Sequence, residues 1–79
     1  MITTIAEAQA VLDQNENFMV CMEMDGRCWI REGVRDKTGV LVADGRFVAQ
    51  IAEPVFETIT PGMDIKYCSE YFQRSELNP

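Results

Sequence analysis

The residues of this chain best suited to chemistry are two close pairs of carboxylates, Glu23 with Asp25 and Glu53 with Glu57, and three thiols, Cys21, Cys28 and Cys68. Neighbouring carboxylates divide acid and base roles when their surroundings push their pKa values apart. That requires a walled pocket, and 79 residues leave little material to wall one. The expectation for both pairs is a solvated surface. Cys28 stands between Arg27 and Trp29, and adjacent positive charge can lower a thiol pKa and make it reactive. Against that stands a packed strand thiol, the more common role, so a redox or ligand-binding use of Cys28 or Cys21 is the weakest of three functional readings.

The chain has no histidine, which removes histidine metal ligands, Ser-His and Cys-His nucleophile pairs and the commonest general base. Neither Ser69 nor Ser75 sits in a nucleophile elbow, and the five glycines are spaced as turn residues, not as a phosphate cradle. The cysteines are odd in number and form no CxxC pattern, so neither a zinc site nor a disulfide framework is expected. These absences predict no catalytic residue, no metal and no cofactor: a protein that is not an enzyme.

The elements that must position any site are legible from periodicity. Thr4 and Glu7 make a capping box ahead of Ile5, Ala8, Val11 and Leu12, which fall on one helical face. Asn15 and Asn17 should end that helix. Phe18 to Met24 reads as a strand, Asp25-Gly26 as a two-residue hairpin turn, and Arg27 to Glu32 as the returning strand. That turn would place Met22 opposite Trp29, Val20 opposite Arg31, Cys21 opposite Ile30 and Glu23 opposite Cys28. A second hairpin is expected at Asp44-Gly45, pairing Val42 with Phe47 and Leu41 with Val48, with residues 33–38 as a polar connector. Pro54 marks a break. Residues 55–60 read as a strand and Met63 to Cys68 as a final strand, followed by a short helical turn over residues 69–73; the alternative is a helix from Asp64 to Arg74. Residues 75–79 read as a frayed tail.

Together these predict one α+β domain spanning residues 1–79. Its N-terminal helix packs on a small antiparallel sheet of about four to six strands built from two Asp-Gly hairpins, with a barrel-like closure left open. No window approaches the roughly 18 apolar residues of a membrane span, and no positively charged leader is evident, so a cytoplasmic protein without membrane contact is expected.

The net charge is −6 and unevenly distributed. Residues 1–25 carry −5, residues 26–46 carry +2 and residues 47–79 carry −3. Phosphate recognition needs a basic stripe, so direct nucleic-acid binding is not expected, and a basic protein surface is the better-matched partner. Two surfaces could meet it. The first is acidic: Glu7, Asp13 and Glu16 near the first helix, with Glu53, Glu57 and Glu70 in the C-terminal half. The second is the hairpin patch of Trp29 and Arg31, residue types common in binding hot spots. Met19, Met22, Met24 and Met63 could add an adaptable docking surface, although methionine more often fills gaps in a core.

In size and charge the chain resembles phage-encoded inhibitors that block nucleic-acid-handling complexes, anti-CRISPR proteins among them. That resemblance implies a non-catalytic, acidic module occupying a basic, nucleic-acid-binding site on its partner. The alternative is a small structural or assembly subunit that self-associates, as a homodimer for example, through Trp29 and unpaired strand edges of its sheet.

Overall fold

The computed structural model describes residues 1–60 and 71–78. Within them the chain forms helix α1 (Ile5–Leu12), strands β1 (Phe18–Met22), β2 (Cys28–Glu32), β3 (Val34–Arg35), β4 (Leu41–Val42) and β5 (Phe47–Ile51), helix α2 (Glu53–Ile59), strand β6 (Tyr71–Gln73) and a 3₁₀ turn at Arg74–Glu76. The four-stranded sheet has the order β5-β2-β1-β6 with antiparallel neighbours, and β3 and β4 form a separate two-stranded ribbon. The architecture is α+β, and the sheet is not a closed barrel.

The first helix forms where its cap predicts. The Thr4 hydroxyl accepts from the Glu7 amide at 3.2 Å and donates to the Glu7 carboxylate at 3.0 Å, so each end of the box satisfies the other. Ala8 and Leu12 are buried and Val11 is half-buried against the core, whereas Ile5 is 38% exposed and falls outside the packed stripe.

The first hairpin forms at the expected place, but its loop is one residue longer. The Glu23 amide bonds the Arg27 carbonyl, the Gly26 amide bonds the Glu23 carbonyl, and Gly26 takes φ +87°. This is a three-residue loop ending in a left-handed glycine, not a two-residue turn. Cys21 therefore stands opposite Trp29, Val20 opposite Ile30, Met19 opposite Arg31 and Met22 opposite Cys28. Because side chains alternate with period two, this one-residue slip regroups which residues share a face.

The second hairpin is elsewhere. Asp44-Gly45 does not join paired strands: β4 pairs with β3, and β5 pairs with β2. The connecting turn of the ribbon is Asp36–Gly39, which begins in the segment expected as a polar connector (residues 33–38) and ends one residue beyond it. The Asp36 amide bonds the Val40 carbonyl, the Gly39 amide bonds the Asp36 carbonyl, and Gly39 takes φ +85°. Oδ1 of Asp36 accepts from the Thr38 amide, the Thr38 hydroxyl and the Val40 amide, which fixes the turn and holds its carboxyl below the usual range.

After β5 the chain turns into helix, not strand. Pro54 lies in the first turn of α2, where its missing amide costs nothing, and Val55, Phe56 and Ile59 repeat at helical spacing and are buried. Tyr71–Gln73, expected in a helical turn, pairs with β1 and so also excludes a helix running through to Arg74. The strand expected at residues 63–68 lies outside the described residues. Residues 75–78, expected to fray, are tied in: the Asn78 amide bonds the Ile59 carbonyl at 2.8 Å, and Leu77 packs on the core.

The sheet is covered on both faces. One face carries Phe18, Val20, Cys28, Ile30, Ile51 and Phe72 against the buried faces of both helices. The other carries Met19 and Cys21, capped by Leu41 and Ala43, with Trp29 packed alongside. A bulge in β5 moves Val48 out of register, so that Ala49 faces Ile30 while Phe47 comes opposite Arg31.

Candidate functional site

Trp29 and Arg31 share the sheet face remote from the helices. The Arg31 side chain is half-buried: Nη1 donates to Glu23 Oε1 at 2.8 Å, Nε and Nη2 donate to the Gly45 carbonyl at 3.1 and 2.8 Å, and its guanidinium lies 4.1 Å from the centre of the Phe47 ring. Phe47 in turn meets Trp29 edge-on, with centroids 4.9 Å apart. The guanidinium is thus committed to a carboxylate, a carbonyl and a ring. It fastens β1, β2 and the Gly45 bend together, and offers a partner less than an unengaged arginine would.

Beside this knot lies a cleft of about 140 Å3 lined by Cys21, Met22, Glu23, Arg31, Val42, Ala43, Asp44 and Tyr71. Pockets that enclose a drug-sized ligand run from roughly 300 to 1,000 Å3, so this cleft is small for a metabolite. Its carboxylate, Glu23, is bound to Arg31. Asp25, the other member of that sequence pair, instead accepts from the Arg27 amide and lies 3.7 Å from the Arg27 guanidinium. Glu53 and Glu57 are exposed on α2. Among the described residues no group of three potential ligands is placed to hold a metal ion.

The two described thiols are on opposite faces of the sheet, Cys21 beside Trp29 and Cys28 in the helix-covered core. Burial pushes the Cys21 thiol up to about 12, with the Glu23 carboxylate adding to the effect. Burial likewise pushes Cys28 up to about 11, reinforced by the Glu53 and Glu57 charges, and Arg27 does not lower it as adjacency in sequence suggested. In a Cys68→Ser background, iodoacetamide at pH 8 should label the native protein far more slowly than the urea-unfolded chain. The linkage has a definite sign: both thiols hold their protons more tightly when folded. Their contribution to stability is therefore complete below about pH 9 and declines as pH rises toward about 11 to 12. Labelling of the native chain at the unfolded rate would contradict the buried assignment.

The acidic residues are positioned by the helices. Glu7 is exposed in the first turn of α1, accepting from the Thr3 and Thr4 hydroxyls, and a carboxylate there is favoured by the helix dipole. Asp13 caps the other end of α1 and forms an ion pair with Arg74, while Glu16 is exposed in the following turn. Glu53 and Glu57 are one helical turn apart on α2, which lies on the same face of the sheet as α1. Five of the six predicted acidic residues therefore belong to the helical side; Glu70 lies outside the described residues. The methionines form no common surface: Met19 is fully buried, Met22 half-buried and Met24 exposed at the hairpin tip, and Met63 lies outside the described residues.

The fold also redistributes the charge. The β1–β5 segment, residues 18–51, carries Arg27, Arg31, Arg35, Lys37 and Arg46 against Glu23, Asp25, Glu32, Asp36 and Asp44, and is neutral. Three of these cations pair with three of these carboxylates: Arg27 with Asp25, Arg31 with Glu23, and Arg46 with Glu32 at 3.4 Å. Residues 1–17 and 52–60, which contain the two helices, hold five carboxylates and no cation. Among the described residues the net negative charge thus comes from the segments that hold the helices, although Asp13 there is paired with Arg74. Reading along the sequence assigned Glu23 and Asp25 to the acidic N-terminal block, because their arginine partners follow them in the chain. Sequence reading also passed over Phe47 as a surface residue, since the expected hairpin paired it with Val42.

The chain matches no protein-family model, no curated protein and no solved structure.

Proposed function

We propose that this chain is a non-catalytic, acidic binding module, active in the cytoplasm, that occupies a basic nucleic-acid-binding site on a partner protein, as an anti-CRISPR-type inhibitor does. The observation that carries this reading is the segregation of charge: five carboxylates and no cation in the segments that hold the two helices, beside a strand region that is neutral. An acidic face on a rigid two-helix layer steers the chain toward a basic groove and repels free nucleic acid, the natural competitor for that groove. The likeness in size and charge to phage-encoded inhibitors supplies the class of target.

The test is displacement of fluorescent target DNA from a panel of guide-loaded CRISPR effector complexes, followed by anisotropy. The wild-type chain should release DNA from at least one complex without binding the free duplex. The triple variant Glu7→Gln, Glu53→Gln, Glu57→Gln should need roughly tenfold more protein for the same release, and added salt should narrow the difference. Exposed carboxylates contribute little to folding, so the variant should melt near the wild-type temperature. Absence of release from every complex would remove the inhibitor reading, and equal release by the variant would remove the acidic face.

A further inference from the structure

The segment that follows β6 joins parts of the molecule that the sequence keeps apart. β6 pairs with β1 and buries Phe72, which fixes the start of the segment to the sheet. Arg74, the next residue after the strand, forms an ion pair with Asp13 at the C-terminal end of α1. Asn78 reaches the end of α2. Its amide donates to the Ile59 carbonyl at 2.8 Å, and its Nδ2 donates to the Thr58 and Thr60 carbonyls at 3.2 and 3.1 Å. The last carbonyls of a helix have no partner within it, and here one residue supplies partners for three carbonyls at the helix end. Neither helix has a basic residue in its last turn, so Arg74 brings to α1 a cation that the helix lacks. Between these helix ends lies a pocket of about 140 Å3, bounded by Ala8 and Leu12 of α1 and by Ile59 of α2, with Arg74, Leu77 and Asn78 also lining it. An unfilled space forfeits direct packing of one helix end on the other. The half-buried Leu77 packs on the core there instead.

We propose that residues 74–78 form a clasp that couples the two helices. β6 anchors it on the sheet, Arg74 ties the end of α1 and Asn78 ties the end of α2, so release at one point loosens both. Taken singly, an exposed ion pair and a few hydrogen bonds hold little. Joined through one short segment, each contact keeps the other's partners close and raises their effective concentration. Arg74 and Asn78 are exposed, and the pairing of β6 with β1 ends at Gln73. The clasp therefore opens as a local event that leaves the strands paired. What it sets is the position of α1 relative to α2. With that goes the arrangement of their carboxylates, Glu7 and Asp13 on one helix and Glu53 and Glu57 on the other. The coupling does not depend on the inhibitor reading.

A double-mutant cycle on the full chain tests the coupling, since Arg74 and Asn78 hold different helices. Asn78→Ala and Arg74→Met should each lower the urea midpoint. Once one tie is lost the other holds little, so the double variant should unfold close to the midpoint of the less stable single variant. Amide order parameters from nitrogen-15 relaxation give the second readout. Asn78→Ala should lower them at Leu12 and Asp13 of α1, and Arg74→Met at Ile59 and Thr60 of α2, from about 0.85 toward about 0.6. The Asp36–Gly39 turn, remote from the clasp, should keep its wild-type values in both variants. Midpoint shifts that simply add, or loosening confined to the helix that each side chain touches, would overturn the clasp.

Discussion

Phe56→Ala is expected to destabilise the fold by about 3 to 5 kcal/mol, the usual range for removing a fully buried phenylalanine. Phe56 is 0% exposed and projects from α2 into the helix-covered core, its ring 6.4 Å from that of Phe72 on β6. The same residue's carbonyl accepts from both the amide and the hydroxyl of buried Thr60, so its helical turn also fixes the end of α2. A small domain has only a few kcal/mol in hand, and this loss is comparable to the whole. Urea titration at 25 °C should show a midpoint shifted strongly downward or a chain already largely unfolded without denaturant. An unchanged midpoint would mean that α2 does not dock as described, and that Glu53 and Glu57 are not held on the acidic side.

Gly45→Ala should produce the second large effect, a loss of about 1 to 3 kcal/mol from overpacking. A Cβ at position 45 would lie 2.5 Å from the Glu32 carbonyl oxygen and 2.8 Å from its Cβ. Both atoms belong to a strand and cannot move aside independently of it. The displacement would also strain the Gly45 amide bond to the Glu32 carbonyl and the two Arg31 bonds to the Gly45 carbonyl. Gly26, in the other Asp-Gly pair, has open space around the same position but takes φ +87°. Asparagine tolerates that conformation, so Gly26→Asn should be nearly neutral while Gly45→Asn should be at least as harmful as alanine. Denaturation midpoints of the two asparagine variants test this directly; equal losses would show that position 45 is an ordinary turn glycine.

Those two glycines show how far the sequence can be read. Asp25-Gly26 and Asp44-Gly45 are the same dipeptide between apolar runs, and local chemistry predicts the same hairpin for both. The first is a hairpin because the strands it joins are neighbours in the sheet. The second is not, because β5 takes its place beside β2, and β4 is drawn over Met19 and Cys21 with β3 as its partner. The turn that closes that ribbon had its own signal, an aspartate, a threonine and a glycine at positions 36, 38 and 39, masked by its charged neighbours. Val55 to Thr60 alternates well enough to read as a strand, yet Val55, Phe56 and Ile59 also fall at helical spacing in so short a window. Proline in the first turn resolves the ambiguity once the helix has a core to pack on.

The sequence by itself determined the properties that depend on local spacing and composition: the capped first helix, the position of the first hairpin, the α+β class, the lack of histidine and the acidic balance. The tertiary structure decided which residues share a face. A single residue in the first hairpin loop sets Trp29 beside Cys21 and away from the helix-covered core, because side chains alternate and register is a global property of the sheet. The arrangement of charge was decided in the same way. Glu23 and Asp25 precede Arg31 and Arg27 in the chain and read as part of an acidic block, but the hairpin folds each onto its arginine and leaves the strand segment neutral beside acidic helical segments. Ion pairing acts over a few ångströms of space, and only the fold converts distance along the chain into distance in space.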